Sequence, residues 1–225
     1  CVLSNYMTGR DATRGACAQP CRYKYALMEE KRPGEYFPVY EEDNETFILN
    51  SRDMCMIDHI PELLAAGLSS LKIEGRAKSA YYTAMVTGAY RHAVDAALRG
   101  EPLPEEWRDE VEKVSHRHYS TGFWFGQPGQ YTKEARYIRD WQVVAQVVRC
   151  REDGLALCTL NNKFAKGDML ELVGPDLAAR QFIVEELADE AGIPLDEVKI
   201  PQQRFRLKLP CAARSGSYLR RQGRS

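Results

Sequence analysis

Apolar and polar positions alternate with two different periods along this chain, and the texture changes near residue 130. Residues 46–50 (Thr-Phe-Ile-Leu-Asn) predict a short apolar strand, and residues 56–66 have the spacing of an amphipathic helix stopped by Gly67. Residues 70–74 predict a second strand, in which Leu71 and Ile73 alternate with Lys72 and Glu74. Residues 79–98 predict a longer helix ending near Gly100, with Tyr82, Met85, Val86, Ala89, Tyr90, Ala93 and Ala97 at helical spacing. Strand, helix, strand, helix with short joints is the pattern of parallel βα units. Two such units cannot close a barrel, so earlier units are expected upstream of Cys1, where the chain opens without Met.

The flanking segments read differently. Residues 1–22 are dense in Gly, Asp, Asn, Arg and Cys, without sustained periodicity, and predict an ordered loop. A hairpin is expected from residues 23–28 and 36–40 around the turn Arg32-Pro33-Gly34. After the break at residues 101–104, a short polar helix is expected over 105–113. Beyond Pro128, strands are predicted at 141–148, 154–160, 169–173, 182–186 and 205–209, separated by Asp-Gly, Lys-Gly-Asp and Gly-Pro turns. A small, mainly antiparallel β-barrel or sandwich fits that spacing. The expected fold is thus α/β plus β: residues 1–129 carry the last two βα units of a TIM-barrel-like domain with a cysteine-rich loop, and residues 130–225 a small antiparallel β-barrel domain.

Composition narrows the function classes. At 225 residues and 44% hydrophobic the chain can bury a sizeable core. Charged residues are 28% of the sequence but the net charge is −1, so any polyanion site must be a local patch. No apolar run approaches the length that spans a bilayer, and the opening residues lack a basic-then-apolar signal pattern, so no membrane partner is expected and a cytoplasmic location is.

Seven cysteines are many for a reducing compartment, where such a set is more often metal-binding or catalytic than disulfide-bonded. Cys150 and Cys158 sit in apolar strand-like runs and read as small core hydrophobes; Cys211 receives no role. Cys17-Ala-Gln-Pro-Cys21, in contrast, lies in a loop flanked by Arg10, Arg14, Arg22 and Lys24, and nearby cations favour the thiolate that binds metal. With Cys1 before the pair and Cys55 opening the next helix, an iron–sulfur site is expected, although four cysteines satisfy zinc equally.

 Zinc therefore stands as the alternative to a four-iron, four-sulfur cluster on Cys1, Cys17, Cys21 and Cys55.

The carboxyl ends of the two expected strands offer the other candidate chemistry, because βα units place their sites there. Asn50, Ser51 and Asp53 follow the first strand, and Lys72, Glu74 and Arg76 surround the second. A polar cavity and an ordinary solvated rim of ion pairs both accommodate them. His59 and His92 read as surface or packing residues, and the His116-Arg-His118 pair has no carboxylate or third histidine at a telling distance. The sequence holds neither an HExxH helix motif nor a Gly-x-Ser-x-Gly elbow.

Four runs carry a resemblance: Cys1-Val-Leu-Ser-Asn-Tyr-Met-Thr-Gly-Arg-Asp11, Arg14-Gly-Ala-Cys-Ala-Gln-Pro-Cys-Arg22, Asn50-Ser-Arg-Asp-Met-Cys55 and Leu71-Lys-Ile-Glu-Gly-Arg76. Together they closely resemble peptidase family U32, over essentially the whole chain. The resemblance implies a TIM-barrel-like body with a β-barrel tail, and two kinds of activity. One is collagenase-like hydrolysis of peptides. The other is hydroxylation of tRNA, ribosomal RNA or ubiquinone precursors, in several members with a four-cysteine iron–sulfur cluster and in some with prephenate as co-substrate.

The chain looks most like the tRNA wobble-uridine hydroxylation branch, with the peptidase as the alternative. The resemblance aligns Cys1 and Cys17 best with cluster ligands and leaves the remaining place to Cys21 or Cys55. Arg10, Arg14, Arg22 and Lys24, and the tail residues Arg214, Arg220, Arg221 and Arg224, are the expected phosphate contacts. Tyr23, Tyr25, Phe123 and Trp124 are the aromatic residues available to an unpaired base.

Overall fold

In the computed structural model, which describes residues 1–23, 40–42, 45–47, 52–126 and 137–223, the opening cysteine-rich segment is a succession of short turns. It begins with a helix that the sequence pattern did not predict, α1 (Val2–Thr8), closed by Gly9 at φ 66°. Gly9 donates its N–H to the Asn5 carbonyl at 2.8 Å, a left-handed cap that costs glycine little. Asp11 then caps a 3-10 turn, Ala12–Arg14, by accepting from the Thr13 N–H at 2.9 Å. The fully buried Ser4 ties the turns together: its hydroxyl donates to the Arg10 carbonyl (2.9 Å) and accepts from the Ala18 N–H (3.0 Å). These turns belong to a first compact unit, residues 1–56 and 116–138.

The same unit holds two small ladders. Strands β1 (Tyr40–Glu42) and β2 (Glu45–Phe47) form an antiparallel hairpin with Tyr40 opposite Phe47. Strand β3 (Asp53–Met54) pairs in parallel with β4 (Tyr119–Ser120). The hairpin expected around Arg32-Pro33-Gly34 and residues 48–50 of the first expected strand lie outside the described residues.

One expectation is corrected here. Residues 46 and 47 are antiparallel to β1, and residues 70–74 form no strand, so the two predicted strands are not a parallel pair. Alternation alone does not make a strand, because its N–H and C=O groups need a partner ladder. Ile73 rests on the helix that follows, whereas Leu71 is exposed, and the Glu74 carboxylate turns back to accept from the Arg76 N–H at 2.8 Å.

The second compact unit comprises residues 57–115 and 139–225. Helix α2 (Ile60–Ala65) buries Ile60 and Leu63 and ends at Gly67, where the Leu68 N–H reaches the Leu63 carbonyl (3.2 Å) and the Gly67 N–H that of Leu64 (3.0 Å). Helix α3 (Ala80–Arg99) is capped by the Ser79 hydroxyl, which accepts from the Tyr82 N–H, and stops at Gly100. It buries Tyr81, Met85, Val86, Ala89, Ala93 and Ala96. A single turn, α4 (Glu105–Arg108), continues into a 3-10 turn, Asp109–Val111, in place of the longer polar helix predicted there.

Beyond residue 139 the predicted all-β texture is realised as a large antiparallel sheet. Its strands are β5 (Trp141–Cys150), β6 (Leu155–Leu160), β8 (Met169–Gly174), β9 (Leu177–Ile183), β10 (Leu187–Asp189), β12 (Arg204–Lys208) and β13 (Tyr218–Gln222). Their order is β10-β12-β6-β5-β13-β8-β9, with every neighbouring pair antiparallel. A separate ladder joins β7 (Phe164–Ala165) to β11 (Glu197–Val198). Of the predicted strand at 182–186, residues 182 and 183 end β9 and residues 184–186 lie in no strand, and β13, inside the sheet between β5 and β8, was not predicted. One face of the sheet packs the main core, including Val144, Val147, Cys158, Leu172, Phe205 and Leu219.

On the other face, α3 covers Val173 and Tyr218 through Tyr81, Met85 and Val86. A buried polar network sits beside this contact. Arg220 of β13, with no exposed surface, donates to both Glu110 oxygens (2.5 and 2.7 Å), to Glu171 Oε2 (3.0 Å) and to the Tyr81 hydroxyl (2.8 Å). Burial is the largest single influence and works against its charge, but the hydrogen bonds and attraction of Glu110 and Tyr81 together outweigh it, so its pKa is raised. Lys113 adds a second cation, 3.6 Å from Glu171 and 3.9 Å from Glu110.

Candidate functional site

The first unit gathers its polar side chains around the β3–β4 ladder. Asp53 donates its backbone N–H to the His118 carbonyl (3.1 Å), and Cys55 donates to that of Ser120 (2.9 Å). The parallel ladder thereby carries Asp53 beside residue 117: its Oδ2 accepts from the Arg117 N–H at 3.0 Å, and its Oδ1 is 3.7 Å from Arg117 Nε. The Arg117 guanidinium reaches onward to the Tyr137 hydroxyl (3.2 Å), which also accepts from Arg22 Nη2 at 3.1 Å. Both guanidinium groups also lie over the Tyr137 ring, at 5.1 and 5.8 Å from its centroid. Two guanidinium groups thus share one phenol, and one of them also faces the Asp53 carboxylate.

His116 supports the arrangement from beneath. It is buried, stacks on Tyr119 with ring centroids 4.4 Å apart, and sets Nδ1 2.8 Å from the Arg117 carbonyl, the geometry of an Nδ1–H donor. Its backbone bridges to Ile138. Past β4 the chain turns at Gly122, φ 59°, where a Cβ would sit 3.2 Å from the Met54 sulfur. The turn presents Phe123, Trp124 and Phe125, all exposed. Exposed aromatic faces are what an unpaired base needs for stacking.

Among the expected phosphate contacts, Arg10 and Arg14 are exposed and Arg22 is bound to Tyr137; Lys24 lies outside the described residues. Of the expected tail contacts, burial removes Arg220, while Arg221 and Arg214 are engaged with neighbouring groups. Arg220 is buried in its carboxylate network, Arg221 donates to Asp168 (3.0 Å) and the Lys163 carbonyl (2.9 Å), and Arg214 pairs with Asp176 at 2.7 Å. Arg224 lies outside the described residues. Of the expected catalytic residues, Asp53 is engaged by Arg117, and Asn50 is outside the described residues. Lys72, Glu74 and Arg76 are exposed on the connection before α3 in the second unit, without the strand that was to aim them.

The cysteines divide as follows. Cys158 is fully buried and Cys150 packs against the same core, as their apolar surroundings predict. Cys1 and Cys21 are exposed; Cys17 and Cys55 are half-buried. Among the described residues no three of His, Cys, Asp and Glu stand together in a metal-holding arrangement. An iron–sulfur or zinc site would need the Cys1, Cys17, Cys21 and Cys55 thiolates around one centre. No chemical step is derived through such a group.

Sequence reasoning passed over Arg117 and Tyr137. Arg117 was hidden inside the His116-Arg-His118 pair, and Tyr137 comes from a segment without periodicity; only the fold brings them to Arg22 and Asp53. His92 is a packing residue, as expected, stacked on Trp107 at 3.7 Å between centroids.

The model of peptidase family U32 matches residues 1–134, and that of the family's C-terminal domain matches residues 139–220. The tRNA hydroxylation protein P1 of Bacillus subtilis is 36% identical over 93% of this chain and 51% of its own length. The tRNA hydroxylation protein P of Escherichia coli is 32% identical over 85% of this chain and 52% of its own. A collagenase of Porphyromonas gingivalis is 32% identical over 59% of this chain and 32% of its own. The chain thus spans about half the length of the first two relatives. With both family models matched, one after the other, the chain belongs to peptidase family U32.

Proposed function

We propose that the protein takes part in hydroxylation of tRNA, at a wobble uridine. The observation that carries this reading is the likeness, over 93% and 85% of the chain, to two proteins named for tRNA hydroxylation. The first unit is chemically suited to such a substrate. Arg10 and Arg14 are exposed for phosphates, and Phe123 and Trp124 are exposed for a base taken out of its stack. Within this proposal the residues up to about 129 belong to a TIM-barrel-like catalytic part in the cytoplasm, and those from 130 to its β-rich C-terminal part.

The likeness to a collagenase favours a second reading, peptide hydrolysis, and supports it over a shorter stretch. Hydrolysis needs a free base or nucleophile. Asp53 is committed to Arg117, and Glu74 to the Arg76 backbone.

Two assays on the same preparations separate the readings. Cys17→Ala is expected to abolish nucleoside hydroxylation in cells, read by mass spectrometry of digested tRNA, and purified wild-type protein is expected to leave denatured collagen intact. Unchanged hydroxylation in Cys17→Ala, together with collagen cleavage by the purified protein, overturns the proposal in favour of the peptidase.

A further inference from the structure

Strand β12 reads Arg204-Phe-Arg-Leu-Lys208, and Phe205 and Leu207 are buried in the main core. Alternation therefore puts Arg204, Arg206 and Lys208 on the opposite face of the sheet. Strand register extends this into a row: Arg206 stands beside Leu157 of β6, and Leu157 beside Arg149 of β5. Helix α3 packs on this face at Val173 and Tyr218, two residues of β8 and β13, while Arg149 is exposed and Arg206 half-exposed. A cavity of about 330 Å³ opens at the row, with Arg149, Arg151 and Arg206 in its wall and Leu157 among its apolar lining.

The cations of this face are not equally occupied. Arg151 pairs with Asp153 at 3.0 Å, Arg204 with Glu190 at 3.5 Å, and Lys208 donates to the Asp153 carbonyl. Arg149 and Arg206 make no hydrogen bond or ion pair with a described residue. They stand two strands apart, about 10 Å between backbones. A guanidinium fork matches a phosphate in two hydrogen bonds, and a near-neutral chain that leaves two such forks beside a cavity has a local site for a polyanion.

We infer that the Arg149–Leu157–Arg206 row is a phosphate-contact surface for folded RNA, each arginine taking a backbone phosphate. Its partner rests on the tRNA reading above; its place rests on register, charge and cavity. An acidic peptide could not add as a strand here, because the row lies inside the sheet, whose edges are β9 and β10, and it serves as the control ligand.

The test is binding of the 225-residue chain to a tRNA transcript by fluorescence anisotropy, between about 50 and 200 mM salt. Removing two phosphate contacts in R149Q/R206Q is expected to lower the slope of log K against log salt by about 1.4–1.8, and to weaken binding roughly twentyfold near 0.15 M. R149K/R206K, which keeps both charges, is expected to retain most of the slope, and thermal melting checks that the variants are folded. An unchanged slope in the glutamine variant, or no tRNA binding by the wild-type chain, overturns the inference. So does a variant that loses an acidic peptide but keeps tRNA. Hydroxylation is scored separately in cells. If it depends on the protein while R149Q/R206Q keeps the wild-type slope, the surface alone is wrong; if R149Q/R206Q weakens tRNA but deletion leaves hydroxylation intact, the functional reading alone is wrong.

Discussion

Replacing Arg220 by methionine tests how the helices of the second unit are held to the sheet. The substitution keeps much of the side-chain volume and removes the charge between Glu110 and Glu171, whose side chains are 2% and 7% exposed. Breaking a buried pair from one side costs about 3–5 kcal/mol, because the other charge is left without a partner. Lys113, 3.6 Å from Glu171 and 20% exposed, compensates in part, which places the loss near about 3 kcal/mol. With a urea slope of about 2 kcal/mol/M, the midpoint falls by about 1.5 M. Urea titration followed by tryptophan fluorescence is the assay, since Trp141 lies 5.0 Å from both Arg220 and Lys113. The triple variant R220M/E110Q/E171Q is expected to recover most of the loss. A deficit under about 1 kcal/mol, or a triple variant no more stable than Arg220→Met alone, refutes the reasoning.

Burial, the largest influence, pushes the Tyr81 phenol up to about 12 from its ordinary 10.0. Its contribution is therefore complete below pH 10 and lost as pH rises toward 12; urea melts across that window are expected to show a decline that Tyr81→Phe flattens. Burial also pushes the Cys158 thiol far upward, so maleimide is expected to label exposed Cys1 and Cys21 in the folded chain and Cys158 only after unfolding, as peptide mapping would report. Iron and sulfide analysis of the full-length protein purified without oxygen tests the proposed cluster: stoichiometric iron and sulfide are expected, and their absence would remove Cys1, Cys17, Cys21 and Cys55 as its ligands.

Helix α3 was legible from the sequence because its apolar stripe, its Ser79 cap and its Gly100 stop agree, and every level of local structure points the same way. Strands β5 and β6 were legible for a similar reason. Strand β13 was not: Tyr218-Leu-Arg-Arg-Gln222 reads as a basic tail, and its place in the sheet depends on carboxylates 49 and 110 residues away from Arg220. Residues 70–74 failed in the opposite sense, since a clean alternation met no partner strand. The site divides along the same line. Arg22 was found from local charge, whereas Arg117, Tyr137 and the Arg149–Arg206 row emerge only when distant segments are paired.

The most direct measurement of the central claim is nucleoside mass spectrometry of tRNA from cells with and without the gene for this protein. Participation in wobble-uridine hydroxylation predicts that the hydroxylated uridine disappears, or falls sharply, in the deletion strain and returns with the wild-type gene. Equal amounts of hydroxylated uridine in the two strains, under growth conditions where the modification is made, would contradict it.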